Sequence, residues 1–468
     1  MNDQVIAKGL TLYYNCKRLR CLSCAILFMF TIGICSTFRV HLLPSTSVGN
    51  LGVNLPLPTN ATVETSEPTE FPEVETRTPP EPICRILKAD ADADYCEMEG
   101  DIRIEGNSST IFFATSTQKI AGNSTISWSI QPYPRRGIEG VKKWNVKIVG
   151  INVNIPKCTE NHKSPAVLFS TGGYSDNPYH AFADLILPLY TTSFDFKRDV
   201  LFLASDYESS WLSKYHELLE KFTRHEIIDI DIQKQVHCFR KLVAGLNFEK
   251  HFIITRSGLS MSNFRRLIRE TYSLPLERTR AMSTRNITSK GDNLTGSRPR
   301  IMIIKRKGTR ILMNHGEVSR AASEVGFHVV LAEPERWKNL SSFARLVNSC
   351  DVLMGIHGAG LANMIFLPEN AVVIQVVPFG SLRWLAEATF GNPSVHMKLK
   401  YLEYEIGENE SSLSSKYSSE DPVLKDPSSI IRKGWDELSS IYLQNQNVTI
   451  DIGRFERTLV EALELLSH

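Results

Sequence analysis

From residue 300 onward the apolar residues fall into short runs separated by segments of helical spacing. Ile301-Met302-Ile303-Ile304 predicts a strand, 315–324 a helix, 327–331 a strand, 341–347 a helix, Val352-Leu353-Met354 a strand and 372–377 another. Strict alternation of strand and helix implies a parallel, doubly wound sheet. Upstream, apolar and polar positions alternate in 125–130 and 146–149, as in strands with one wet face. Further strand-like runs at 166–170, 200–204 and 251–255 alternate with helix-like segments. Between the two halves, about 278–300, lies a basic, polar stretch that reads as an interdomain linker or a long surface loop. The pattern therefore predicts two α/β domains, 84–295 and 296–468.

The amino-terminal part has no such pattern. Residues 21–38 form an uncharged, mostly apolar run just long enough to span a bilayer as a helix, and Lys8, Lys17, Arg18 and Arg20 precede it. That bias keeps 1–20 in the cytosol and sends the rest to the lumen. A cleaved signal peptide is the competing reading; the long segment before the apolar run and the lack of a small-x-small site after it favour an uncleaved anchor. Residues 39–83 are rich in Pro, Thr, Ser, Glu and Asn, the composition of a disordered stem. Sequons at Asn60, Asn107, Asn123, Asn286, Asn293, Asn339, Asn409 and Asn447 agree with luminal exposure. Outside the anchor region stand Cys84, Cys96, Cys158, Cys238 and Cys350, an odd number in an oxidising compartment, so at least one stays a thiol. Cys84 and Cys96 are the first choice for a bridge, because their spacing closes a short loop. No His or Cys spacing resembles a zinc site.

Composition narrows the partners. The 468 residues are 42% hydrophobic, enough for real cores, and 53 basic against 51 acidic residues leave a net charge of +2. Nothing in that balance asks for nucleic acid; a small neutral or anionic ligand fits better.

The most informative segment is Gly355-Ile356-His357-Gly358-Ala359-Gly360-Leu361-Ala362-Asn363, which follows a strand and leads toward a helix. Such a turn lets backbone N–H groups approach a ligand, and a helix start adds partial positive charge, so a phosphate or diphosphate is its natural guest; a tight structural turn is the plain alternative. Upstream, the strand 301–304 ends in Lys305-Arg306-Lys307-Gly308-Thr309-Arg310. In open α/β sheets ligands sit outside the carboxyl ends of strands, so Arg306 and Arg310 could meet the same anion, while Lys305 and Lys307 read as a solvated loop. Other signals weigh less. The acidic alternation in 89–94 contains Asp-x-Asp but lacks a preceding apolar strand and reads as a solvated loop, and Asp229-Ile230-Asp231 reads as the polar face of a strand. Trp211, Trp337, Trp384 and Trp435 could stack on sugars, but core packing is the commoner role of a lone tryptophan.

The ordered set Thr171-Gly172-Gly173-Tyr174, Tyr179-His180-Ala181-Phe182-Ala183-Asp184, Val236-His237-Cys238-Phe239, Arg306, Arg310, Asn314, Glu317, His357-Gly358-Ala359-Gly360-Leu361 and Gln375-Val376-Val377-Pro378 resembles glycosyltransferase family 61. The resemblance runs from about Cys84 to the carboxyl end. The tail, with Tyr401-Leu402-Glu403-Tyr404, Glu410-Ser411-Ser412-Leu413 and 444–455, resembles the plant xylan-modifying branch more than the animal enzymes that transfer N-acetylglucosamine to proteins. One departure is Ile254-Thr255-Arg256-Ser257, where members often carry an aspartate after the isoleucine.

The resemblance implies a GT-B-like fold, two doubly wound α/β domains facing a cleft, behind a transmembrane anchor and stem. It implies a single-pass type II Golgi enzyme, working among other enzymes of xylan synthesis. The reaction it implies is inverting transfer of arabinofuranose to O-3, or xylose to O-2, of xylan from UDP-arabinofuranose or UDP-xylose, with no cofactor or metal required. Inversion needs one base and stabilisation of departing UDP. For the diphosphate the candidates are Arg306, Arg310 and Gly358, Ala359 and Gly360, with His357 as a hydrogen-bond donor; Asn314 completes the set and Glu317 would grip donor hydroxyls. For the base, His180 and Asp184 stand four residues apart and share a face if the segment is helical. Asp184 is equally readable as a cap or as a buried partner of the turn at Gly172 and Gly173. The alternatives are a protein O-linked N-acetylglucosaminyltransferase of the secretory pathway and a non-catalytic xylan-binding subunit.

Overall fold

A computed structural model of the chain describes residues 83–88, 92–115, 125–150, 152–248, 250–275, 298–333 and 339–467, all within one compact unit. The expected tail, anchor and almost all of the stem lie outside the described residues, as do Asn60, Asn123, Asn286, Asn293, Trp337 and most of the stretch read as a linker. Among the described residues, no helix is long and apolar enough to cross a membrane.

The amino-terminal half builds one mixed ten-stranded sheet. Its strands are β1 (Ile83–Lys88), β2 (Asp92–Glu105), β3 (Thr110–Thr115), β4 (Thr125–Ile130), β5 (Trp144–Gly150), β6 (Glu160–Asn161), β7 (Ala166–Ser170), β8 (Leu201–Ser205), β9 (Ile228–Asp229) and β10 (Val236–Ala244). The main path runs β4-β5-β3-β2-β10-β7-β8-β9. β10, β7, β8 and β9 form the expected parallel part, β6 joins β10 in parallel and β3 pairs in parallel with β5, but β2 runs antiparallel to β1, β3 and β10, and β4 antiparallel to β5. Between β2 and β3 the cause is local: Ser109 N donates to Gly106 O at 3.0 Å, and a link that tight can only return a strand antiparallel. β7 and β8 are buried along their whole length, whereas β4, at the sheet edge, is mostly exposed.

Three expectations need correcting in this half. Asp92 and Asp94 belong to β2 and not to a loop, and Asp94 is buried, accepting from Gln131 N at 2.9 Å and pairing with Arg136 at 2.9 Å. Asp229, Ile230 and Asp231 do not share a strand: a 3-10 turn at Ile230–Ile232 buries Ile230 and leaves Ile232 70% exposed, while Asp231 accepts from Asp206 N at 2.7 Å. Residues 251–255 form turns with one isolated bridge from Ile253 to Lys250 and no strand, although their apolar run imitates one.

The carboxyl-terminal half forms the expected parallel sheet from β11 (Arg300–Ile304), β12 (His328–Ala332), β13 (Val352–Ile356), β14 (Val372–Val377) and β15 (Lys400–Glu405), in the order β12-β11-β13-β14-β15. The chain leaves β11 toward one edge and β13 toward the other. In such an order a crevice opens between the carboxyl ends of those two strands, where ligands of doubly wound sheets bind. Both sequence-predicted phosphate motifs leave the sheet there.

One apolar cluster continues from Phe169 and Phe202 of the first sheet to Met302, Leu353 and Val373 of the second. Buried Arg265, on helix Met261–Tyr272, adds a polar tie: its guanidinium donates to the carbonyls of Ile365, Met397 and Leu367. Arg269 also donates to Leu367 O, at 3.0 Å, so loss of Arg265 strands the other two carbonyls. Arg265→Met should cost about 3 kcal/mol or more in a urea-unfolding experiment, since buried acceptors without donors are expensive; a change under about 1 kcal/mol would show that water replaces the arginine.

Cys84 and Cys96 are cross-strand partners of β1 and β2 and form the expected bridge. Cys158 bonds Cys238, and Cys350 remains a buried thiol. Of the described sequons, Asn107, Asn339 and Asn409 are exposed, while Asn447 is half-buried with Oδ1 accepting from Ile311 N at 3.0 Å.

Candidate active site

At the crevice, β13 is followed by His357 and Gly358. Gly358 has φ +146°, and a Cβ there would collide with Arg306 Nη1, so glycine alone lets the guanidinium press on the turn. The following segment, Ala359–Phe366, is the expected helix, of the 3-10 type, and its first N–H groups, on Ala359 and Gly360, are without intrahelical acceptors. Arg306 Nε donates to Thr309 O at 3.1 Å. Arg310 sits in the left-handed region, φ +51°, held by its N–H to Gln446 O at 2.9 Å, and its buried Nε has no partner.

No carboxylate among the described residues pairs with either guanidinium. Burial lowers the Arg306 pKa; burial and then the Arg306 charge push Arg310 down to about 9. Two half-desolvated like charges beside unspent backbone donors form a socket that an anion would stabilise. His357 joins them: burial first, then Arg310 and Arg306, push its pKa down to about 3, so it stays neutral. Gln375 Nε2 donates to His357 Nδ1 at 2.7 Å, and Tyr401 Oη donates to Gln375 Oε1 at 2.9 Å. That relay leaves the imidazole proton on Nε2, making His357 a fixed neutral donor.

Asn314 is differently employed. Its Nδ2 donates to Ile450 O at 2.8 Å and to Glu317 at 3.0 Å, and its Oδ1 accepts from Ile450 N at 3.0 Å. The amide thus pins the tail segment that also holds Arg310, and Glu317 is exposed on helix His315–Val325.

The second cluster follows β7. Asn177 caps the helical start Pro178–His180, which passes into a π-helical stretch, Ala181–Ile186, and then into Leu187–Ser193. Pro188, lacking an N–H, cannot donate to Asp184 O, and the chain adopts the wider turn that places functional side chains unusually. His180 and Asp184 meet as expected, Nδ1 to Oδ2 at 2.8 Å. Asp184 is wholly buried and heavily engaged: Arg135 donates Nε to Oδ2 at 2.8 Å and Nη2 to Oδ1 at 3.1 Å, Tyr133 Oη donates at 3.2 Å, and His251 Nε2 stands 3.5 Å away. Burial alone would push its carboxyl up, but Arg135, with hydrogen bonds from His180 and His251, holds it well below the usual range. His180 retains 21% side-chain exposure. Burial lowers its pKa, partly opposed by Asp184.

The two clusters approach each other through aromatic rings. Tyr179 lies 5.3 Å from His180 and 5.6 Å from Phe390, and Phe390 lies 5.8 Å from His357. Tyr174, 42% exposed, has its ring 5.0 Å from His180.

Sequence reasoning did not single out Tyr133, Arg135, His251 or the relay role of Gln375. Gln375 carries a readable signal, a lone amide in the run Val372-Val373-Ile374-Gln375-Val376-Val377. Arg135 follows the turn-forming Pro132-Tyr133-Pro134, and nothing local marks its partner 49 residues away.

A family model described as Glycosyltransferase 61 matches residues 179–374. The chain is 37% identical over 407 residues to beta-1,2-xylosyltransferase XYXT1 of Oryza sativa subsp. japonica, covering 83% of this chain and 85% of that protein. The chain belongs to glycosyltransferase family 61. Other relatives are alpha-1,3-arabinosyltransferase XAT3 of the same organism, 38% identical over 80% of this chain, and xylan glycosyltransferase MUCI21 of Arabidopsis thaliana, 33% identical over 79% of this chain and 77% of that protein. The alignment spans 64% of XAT3. The family 61 match contains His180, Asp184, Arg306, Arg310 and the His357 turn, and leaves Tyr133, Arg135 and Gln375 outside it.

Proposed function

We propose that this family 61 chain is an inverting pentosyltransferase that moves arabinofuranose to O-3, or xylose to O-2, of xylan from a UDP-sugar. The observation that carries the reading is the socket of Arg306, Arg310 and the Gly358 turn. Its half-buried positive charge has no counter-ion among the described residues, and it stands one aromatic pair away from a partly exposed imidazole backed by a buried carboxylate. The names of the relatives support the sugar and the acceptor.

In this reading the diphosphate is received by both guanidiniums, by the N–H groups of Ala359 and Gly360, and by His357 Nε2–H. These donors act where charge develops as the glycosidic bond breaks, so they perform the work that a metal does elsewhere, and no cofactor is needed. His180 Nδ1–H faces Asp184, leaving Nε2 to take the proton from the attacking xylan hydroxyl as oxygen bonds to the anomeric carbon and UDP departs. Arg135 and Asp184 orient that imidazole, and Glu317 holds donor hydroxyls. The two α/β halves act as a GT-B pair with the substrates between them, in a type II protein facing the Golgi lumen.

The test is to incubate the purified full-length chain with xylo-oligosaccharides and, separately, UDP-arabinofuranose, UDP-xylose and UDP-N-acetylglucosamine. Products are then read by mass and linkage. One pentose transferred from one donor is expected. Transfer of N-acetylglucosamine alone, or xylan binding without transfer, would overturn the pentosyltransferase reading in favour of a protein-modifying enzyme or a binding subunit.

A further inference from the structure

At the amino-terminal end of β10 three metal-ligating side chains converge. Leu242 of β10 lies beside Ala166 at the start of β7, so His237, five residues earlier, is at the opposite end of these parallel strands from the turn that leads to His180. His162 Nε2 and His237 Nδ1 stand 2.9 Å apart. The Glu160 carboxylate places Oε1 3.7 Å from the first nitrogen and Oε2 3.8 Å from the second.

The backbone holds this arrangement firmly. Glu160 of β6 is the register partner of His237, Thr159 N donates to Val236 O at 3.1 Å, and His162 N donates to Cys238 O at 2.9 Å. The Cys158–Cys238 disulfide joins the same two segments. Phe239 lies nearly parallel to the His162 ring at 4.7 Å, fixing it from one side.

A hydrogen bond between two neutral imidazoles does not account for the cluster. It would give no reason for a carboxylate to approach the same point without bonding either ring. The polar contacts of His237 all converge on His162 and Glu160. A tetrahedral ion bound at about 2.0–2.1 Å separates its ligand atoms by about 3.3 Å; the two ring nitrogens stand somewhat closer than that, and each has a Glu160 oxygen somewhat farther away. Two imidazole nitrogens and one carboxylate suit zinc and its neighbours better than calcium or magnesium, which take all-oxygen cages.

We propose that Glu160, His162 and His237 form a binding site for a borderline divalent cation of the Zn2+ type, placed to clamp β6 against β10. Three protein ligands leave a fourth position for water, and Glu160, 48% exposed, lies on the solvent side from which the ion enters. The clamp is remote from the transfer chemistry and is independent of which sugar the protein carries.

The full-length chain, stripped with a chelator, is titrated with ZnCl2 against a chromophoric competitor while thermal unfolding is followed. One tightly bound equivalent and a raised unfolding temperature are expected, with CaCl2 giving neither. The variant Glu160→Gln/His162→Gln should bind that equivalent at least about tenfold more weakly, whereas His216→Gln, at the exposed His216–Glu220 pair, should bind like wild type. Glu160→Gln alone changes only a half-exposed side chain and reports the same loss should the double variant fold poorly. Absence of zinc binding in the wild type would overturn the proposal, as would equal affinity and stoichiometry in the Glu160 variants.

Discussion

Arg310→Ala should lower the turnover number for pentose transfer by about 10²–10³-fold while leaving the unfolding temperature at or slightly above the wild-type value. The first half of that expectation follows from position. Arg310 follows the carboxyl end of β11, at the point where the strand order of the parallel sheet reverses, and its charge acts on His357 at the turn that follows β13. The second half follows from electrostatics. Arg310 is desolvated, repelled by Arg306 and paired with no carboxylate among the described residues, so its charge costs the folded protein stability that only an anionic ligand returns. A residue kept for the fold behaves in the opposite way, as Arg265 should. Arg310→Lys should recover only part of the rate, because an ammonium keeps the charge but loses the planar fork that grips two phosphate oxygens. Transfer kinetics at saturating donor, together with thermal unfolding, decide the matter: wild-type turnover in Arg310→Ala removes this side chain from the mechanism, and a large loss of stability reassigns it to the fold.

The carboxyl-terminal sheet was legible because its strands are short apolar runs that no other element imitates at that spacing, and β14 spans 372–377 as expected. Arg306, Arg310 and the Gly358 turn could be placed from the chain alone, because a ligand site at the ends of such strands is a rule of topology. The helix after the turn was legible as a helix, but not its 3-10 type, because apolar spacing does not distinguish the two. The second cluster was only half legible. His180 and Asp184 lie four apart and show themselves, whereas Arg135 and His251 reach Asp184 from distant loops. The run His251-Phe252-Ile253-Ile254-Thr255 even argued for a strand. Likewise the tail around Gln446 and Ile450 carries a family signature, but that it braces the segment from Arg310 to Asn314 follows only from long-range backbone bonds.

His180→Gln should reduce turnover by about 10²–10⁴-fold, the range that a positioned base contributes, with little change in donor affinity. In the wild type, transfer should rise with pH as His180 loses its proton and then level off. The sign is set by burial, which disfavours the imidazolium and is only partly offset by Asp184, so the midpoint falls below the ordinary histidine value of about 6.5. The plateau would then extend into mildly acidic conditions, and the variant's residual rate should lack that limb. A wild-type rate profile flat across this range, or an unchanged limb in His180→Gln, would assign the base elsewhere. Asp184→Asn is the less discriminating substitution. It would leave the guanidinium of Arg135, only 7% exposed, without its counter-ion, and breaking such a buried pair costs about 3–5 kcal/mol. Lost activity there would mix lost orientation of the imidazole with lost structure. Because His180 is the partly exposed member of the cluster and no other charge depends on it as Arg135 depends on Asp184, its replacement separates chemistry from folding.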